Sequence, residues 1–285
     1  MPPLMNKGTP PVARYTAALR QEICARNLAF AREYHLAHAL SYGEAPAVCY
    51  EPEGETHGNF LPETYRAILA NPQWARRLKK AHTARRSALP RNDRGFWSEL
   101  DSCNSSDALL MNVFCCPGVF DDGRVLALLG VEADAAPEFG YQARVPLAGG
   151  KFDRTEADMR LGGLLVEAKL TESGFQTAAK STVEAYRHFA EVFERKQLPR
   201  TKERYLSYQL LRNVLAAHAG QCAFCVLYDG RRPDLQQAWF EVMRCVRPLH
   251  LRLRCKALTW QELAAVVPDR LQEFLEEKYG IEGIQ

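Results

Sequence analysis

The segment Thr155–Glu172, TEADMRLGGLLVEAKLTE, gathers the residues best suited to chemistry. Glu156, Asp158, Glu167 and Lys169 flank a Gly-Gly pair. Gly162-Gly163 favours a tight turn between two strands. Pairing through that turn sets Leu161 opposite Leu164, Met159 opposite Val166 and Ala157 opposite Ala168, which makes one apolar face. The other face carries Arg160 opposite Leu165, Asp158 opposite Glu167 and Glu156 opposite Lys169. Directly opposed residues on antiparallel strands lie about 5 Å apart at Cβ, where like charges destabilise the pair. Either one carboxyl holds a proton or a cation lies between the two. Hard divalent cations take oxygen ligands, and Mg²⁺ commonly uses one or two carboxylates. The competing reading is an amphipathic hairpin with a wet charged face, in which Glu156 and Lys169 form a plain cross-strand ion pair. The strongly apolar second strand, LLVEAKL, counts against it, because its charges then belong to a cleft or a buried edge.

The elements around the hairpin follow from periodicity. Residues 1–13 are Pro-rich and read as irregular, and Ala13–Leu40 has helical spacing of apolar residues. Residues 61–90 read as helices broken at Pro72 and Pro90. FWSELDSCNSSDALLMNVFCC, residues 96–116, has N-cap residue types followed by an apolar helix face. A strand is expected over Phe139–Leu147, helices over Gln176–Arg195 and Lys202–His218, and a fully covered strand over Ala223–Tyr228. Asp234–Val246 reads as a helix, and LHLRLRCKAL alternates like a strand. Thr259–Glu262, TWQE, fits a capping box. The order implies a mixed α/β domain over residues 96–285, preceded by a helical extension over residues 1–95 with a boundary near Pro90.

Bulk properties exclude little. The 285 residues are 47% hydrophobic and 25% charged, an ordinary globular balance, and the net charge of +3 is uninformative alone. The charge is clustered, however: Arg76, Arg77, Lys79, Lys80, Arg85 and Arg86 lie close together, and Arg252, Arg254 and Lys256 alternate. Such clusters are either solvated faces or phosphate contacts. The N-terminus shows no apolar export signal and no run of about 18 apolar residues appears, so a cytoplasmic protein without membrane contact is the default. Nine cysteines then read as free thiols. The single CxxC, Cys222 to Cys225, lies on an expected strand, where residues three apart face opposite sides, so zinc or an iron–sulfur cluster is disfavoured there.

The hairpin resembles the PD-(D/E)XK nuclease superfamily, whose restriction-endonuclease-like core has a central mixed sheet flanked by helices. The family signature is an acid on one strand followed by acid-x-lysine on the next. Asp158 and Glu167-Ala168-Lys169 match it, though Ala157 replaces the leading proline. VEAKLTE is similar to uncharacterised bacterial members. The resemblance spans roughly residues 96–230 and implies an Mg²⁺- or Mn²⁺-dependent nuclease acting on DNA, most simply an endonuclease. Asp158, Glu167 and the Ala168 carbonyl would hold the metal, and Lys169 would assist. An acid from the first core helix would be Glu99, with Asp101 behind it. Gln209, or Gln176 with Tyr186, would be auxiliary, and Arg212 would contact phosphate. Arg76, Arg77, Lys79, Lys80, Arg252 and Arg254 are the candidate DNA contacts. The alternative is a non-catalytic DNA-binding or assembly protein that retains the fold. Oligomeric state, a homodimer included, is left open by the sequence.

Overall fold

The structure, a computed structural model, describes residues 11–43, 46–82, 89–132 and 135–284. Its centre is a five-stranded mixed sheet built from β1 (Pro137–Gln142), β2 (Glu156–Leu161), β3 (Leu164–Ala168), β4 (Ala223–Tyr228) and β5 (Cys255–Thr259). The spatial order is β5-β4-β3-β2-β1. β1 to β3 pair antiparallel, whereas β3, β4 and β5 run parallel. The principal helices are α1 (Pro11–Glu33), α2 (Pro62–Ala70), α3 (Ser106–Phe114), α4 (Tyr208–Gly220), α5 (Pro233–Met243) and α6 (Asp269–Tyr279). This is the restriction-endonuclease-like arrangement, a mixed sheet covered by helices.

The alternation of β3 divides the core. Leu164, Val166 and Ala168 face one hydrophobic cluster with Met159, Leu161 and Leu227. That cluster also contains Leu19 and Ile23 of α1, Leu109 and Leu110 of α3, Trp260 and Leu271. It therefore combines residues from both sides of Pro90. Leu165 faces a second cluster with Phe224 and Val226 of the sheet, Leu210 and Val214 of α4, and Trp239 of α5. Glu167 and Lys169 continue the Leu165 row, so they point towards α4.

The hairpin keeps the expected register over three pairs, Met159 opposite Val166, Arg160 opposite Leu165 and Leu161 opposite Leu164, but the ladder stops before the expected pairs of Asp158 with Glu167, Ala157 with Ala168 and Glu156 with Lys169. Gly162 turns the chain with φ of 54°, a left-handed conformation that a Cβ disfavours. The capping box at Thr259 and Glu262 is also present.

Several expectations are corrected. The N-terminal helix begins at Pro11 and stops at Glu33, not Leu40. Residues 176–195 do not form one helix: Thr177–Ala179 is a strand paired with Arg204–Leu206, and only Lys180–Glu184 and Phe189–Val192 are helical. Arg204–Leu206 therefore also removes the start of the helix expected from Lys202. Gln176 and Ser207 adopt left-handed backbone conformations that break the helical path on either side of this small sheet. Leu249–Arg252 forms a helical turn, and the last strand starts only at Cys255. The alternation in LHLRLR is equally compatible with a turn that buries Leu251 and exposes Leu249 and Leu253. All nine cysteines are free. Arg85 and Arg86 lie outside the described residues.

Candidate active site

The antiparallel ladder between β2 and β3 ends at Met159 and Val166. Beyond it, a side chain replaces the backbone: Asp158 Oδ2 accepts the Ala168 amide at 2.8 Å. Asp158 is thereby held at the end of β3, beside Glu167. Glu167 itself is completely buried. A buried carboxylate requires hydrogen-bond donors, and Lys169, just past the end of β3, and α4 supply them. Lys169 Nζ and Gln209 Nε2 both donate to Oε1 at 2.6 Å, and Asn213 Nδ2 donates to Oε2 at 2.7 Å. Gln209 and Asn213 are four residues apart on α4, so they share one helix face. Arg212 Nη2 lies 3.7 Å from Glu167 Oε2 and donates to the Glu156 carbonyl at 2.9 Å.

The end of β3 is fixed from several sides. Lys169 donates its amide to the Leu227 carbonyl at 2.8 Å, and the Lys169 carbonyl accepts Trp260 Nε1 at 2.9 Å. Arg232, itself fully buried, donates to the Leu170 carbonyl at 3.1 Å. Glu172 accepts the Leu170 amide and the Ser106 hydroxyl. The lysine head group is thus carried by a backbone with little freedom to move.

The electrostatics are those of crowded acids. Burial, then the Glu167 charge, pushes the Asp158 carboxyl up to about 8, and Asp107 adds to the effect. Lys169 and the Ala168 amide only partly oppose it. Burial pulls Lys169 down, but Glu167, Asp158 and Glu172 outweigh it and hold the ammonium above its usual range. The site therefore keeps its lysine charged and resists having both acids charged.

Asp107 is the acid from the first core helix that acts on Asp158. It is buried in the first turn of α3, paired with Arg77 Nη2 at 3.1 Å and with Lys80 Nζ. Arg77 also bridges to Glu156 at 2.9 Å. The expected pairing of Glu156 with Lys169 is therefore wrong. Glu156 lies at the exposed end of β2, where Arg77 reaches it, and Lys169 turns back to the buried Glu167. Glu99 opens a short 3₁₀ turn capped by Ser98. It lines a cavity of about 330 Å³ with Glu172, Asn104 and His82. Asp101 is buried elsewhere, bonded to His57 at 3.0 Å and Arg94 at 2.7 Å.

The remaining candidates divide. Tyr186 donates to Asp153 at 2.5 Å and lies 2.8 Å from the Tyr208 hydroxyl. Gln176 contributes its carbonyl to the Tyr208 amide. Arg76 and Lys79 are exposed, whereas Arg77 is 12% exposed and spent on acids. Arg252 and Arg254 precede β5, two strands from β3 and level with its start, because Phe224 pairs with both Leu165 and Cys255. Strand geometry puts them on the order of 14 Å from Glu167, at the opposite edge of the sheet from Arg77. Sequence reasoning missed Asp107 and Asn213. A first-turn acid reads as a dipole complement, but the polar row Gln209, Arg212, Asn213 in an otherwise apolar helix was a usable signal.

A mixed sheet whose second and third strands bring Asp158, Glu167 and Lys169 together defines a protein of the restriction-endonuclease-like class. A family model described as restriction endonuclease associating with ARP matches residues 30–280, and the chain belongs to that family. No curated protein and no solved structure matches the chain. Among the described residues, no helix is long and apolar enough to cross a membrane.

Proposed function

We propose that this chain is a metal-dependent nuclease that hydrolyses phosphodiester bonds of DNA, acting as an endonuclease. The observation that carries the proposal is the close group Asp158, Glu167 and Lys169, whose acids repel and whose lysine stays charged. The donor set fits Mg²⁺ or Mn²⁺, which prefer carboxylate and carbonyl oxygen. Asp158, Glu167 and the Ala168 carbonyl would hold the ion, which when bound would polarise a phosphate and acidify a water. A second fit is the Gln209 carbonyl oxygen, which is buried and lacks a hydrogen-bond partner. An orphaned acceptor beside a carboxylate suits a ligand that brings water or hydroxyl.

The chain's own groups have separable duties. Gln209 and Asn213 orient Glu167 through its two oxygens. Asp158 must lose its proton before it can serve as a ligand. Lys169, pinned through its backbone, offers a fixed positive charge against negative charge developing on a phosphate. Exposed Arg76 and Lys79 supply the phosphate contacts that position a duplex.

Glu167→Gln tests the reading. The wild-type chain should cleave plasmid, linear or single-stranded DNA with Mg²⁺ or Mn²⁺, and the variant should not. Cleavage that survives the substitution, or intact DNA with every substrate, would sink it. One observation favours the non-catalytic alternative: Glu167 already accepts three N–H donors. DNA binding with a steep salt dependence but no Mg²⁺ or Mn²⁺ binding would establish that alternative.

A further inference from the structure

A second group of ligating side chains lies at the other end of α4. His188, Glu191 and His218 present one ligand atom each, all within 4.8 Å of one another. His188 Nδ1 is 3.0 Å from Glu191 Oε2, and His218 Nε2 is 3.3 Å from Glu191 Oε1. Tetrahedral zinc with ligand bonds of about 2.0–2.1 Å separates its ligand atoms by about 3.3 Å. The two contacts go to different Glu191 oxygens, and a small side-chain shift would bring the three ligand atoms, already within 4.8 Å of one another, to that spacing. The two rings meet edge to face with centroids 5.0 Å apart, so both imidazoles converge on the same carboxylate.

The supports are rigid. His188 is the N-cap of the helical turn Phe189–Val192, and Glu191 lies three residues on. Phe189 and Val192 are buried in the core, which anchors that turn. His218 belongs to the last turn of α4. The donors are two imidazoles and one carboxylate, which select a borderline transition metal over Mg²⁺ or Ca²⁺.

We propose that His188, Glu191 and His218 form a Zn²⁺-class site, open to solvent at its fourth position, that clamps the 188–191 turn to α4. Protonation supports it. Partial burial, then His188, His250 and Arg254, lower His218 against the opposing pull of Glu191, which keeps a lone pair available at neutral pH. The His188 hydrogen bond, with help from His218, lowers Glu191 and keeps it ionised. The site is independent of the proposed nuclease metal, because it shares no residue with it. α4 links it to the nuclease site, since the earlier turns of that helix carry Gln209 and Asn213.

The test is titration of the full chain, stripped with a chelator, with ZnCl₂ in excess Mg²⁺, by calorimetry and by melting. One equivalent of Zn²⁺ should bind and raise the Tm. His188→Ala and His218→Gln should each weaken binding by at least about 10- to 100-fold, the loss that even an outer-shell partner's removal causes. Cys24→Ser controls for the low-pKa thiol, and Glu167→Gln for the nuclease site; both should bind zinc like the wild type. His188 lies on the surface side of its turn, so its variant should fold even if the His218 variant does not. Cobalt bound in place of zinc should give visible absorption that both histidine variants lose. Zinc binding unchanged in the His188 variant, or no stoichiometric binding by the wild type, would overturn the proposal.

Discussion

Gln209 gives its amide nitrogen to Glu167 Oε1 and keeps its carbonyl oxygen buried without a partner. A buried polar atom left unpaired costs about 1–3 kcal/mol. Gln209→Ala removes the orphan and one of three donors on Glu167, while Lys169 and Asn213 remain. We expect the variant to melt within a few degrees of the wild type and to cleave DNA about 10- to 100-fold more slowly, the usual effect of losing a group that orients a metal ligand. Unchanged cleavage would assign Gln209 to packing alone.

Asp158 gives a stability signature. Its folded pKa is raised to about 8, mainly by burial. Between the ordinary carboxylate range and about 8, the folded state binds the proton and the unfolded state does not, so stability falls as pH rises through that window. Asp158→Asn lacks this loss, and its amide oxygen can still accept the Ala168 N–H. Melting curves should coincide at about pH 4, separate in favour of the variant as pH rises, and run parallel above about pH 8. The same variant should be inactive. A variant less stable than the wild type at pH 8 would remove the repulsion from the argument.

Metal binding should run in the opposite sense. A cation between these acids requires the Asp158 proton to leave, so affinity depends on pH. The apparent affinity for Mn²⁺ should rise about tenfold per pH unit towards about 8 and then level off. Calorimetry in two buffers of different ionisation enthalpy should report close to one proton released per ion at pH 7. A pH-independent affinity would place the ion elsewhere.

Much of the hairpin is legible in the sequence, for identifiable reasons. Its register follows from side-chain alternation and a Gly-Gly turn, both local, and Asp158, Glu167 and Lys169 come with it. The capping box at Thr259 is equally local. What fails is long-range. Arg77 is distant in sequence from Asp107 and Glu156, and no spacing rule joins them. Register alone pairs Glu156 with Lys169, but a buried Glu167 within reach of the same lysine competes better than an exposed acid. The small sheet that interrupts 176–206 depends on Thr177 meeting Leu206 across a connection that holds two helical turns, which helical periodicity does not reveal.

Arg76 and Arg77, adjacent in sequence, should separate DNA binding from scaffold. Arg76 is exposed, as is Lys79, whereas Arg77 joins Asp107 to Glu156. Replacing both Arg76 and Lys79 by Ala should leave the Tm nearly unchanged, because isolated surface charges contribute little to stability. DNA binding should weaken for all sequences alike, and the slope of log affinity against log salt should flatten by about one for each phosphate that is no longer neutralised. Arg77→Ala acts on folding instead. It leaves Asp107, 7% exposed, with only Lys80, and a buried charge stripped of a partner costs about 3–5 kcal/mol when no other remains. Lys80 softens that loss, so a drop of about 1–3 kcal/mol in unfolding free energy is expected. The Asp107 charge, less neutralised, should also push Asp158 further up and shift Mn²⁺ binding to higher pH. Denaturant unfolding and a pH series of Mn²⁺ titrations check both. An Arg77→Ala chain as stable as the wild type, with only its DNA affinity lowered, would make Arg77 a phosphate ligand rather than the link between α3 and the acids of β2.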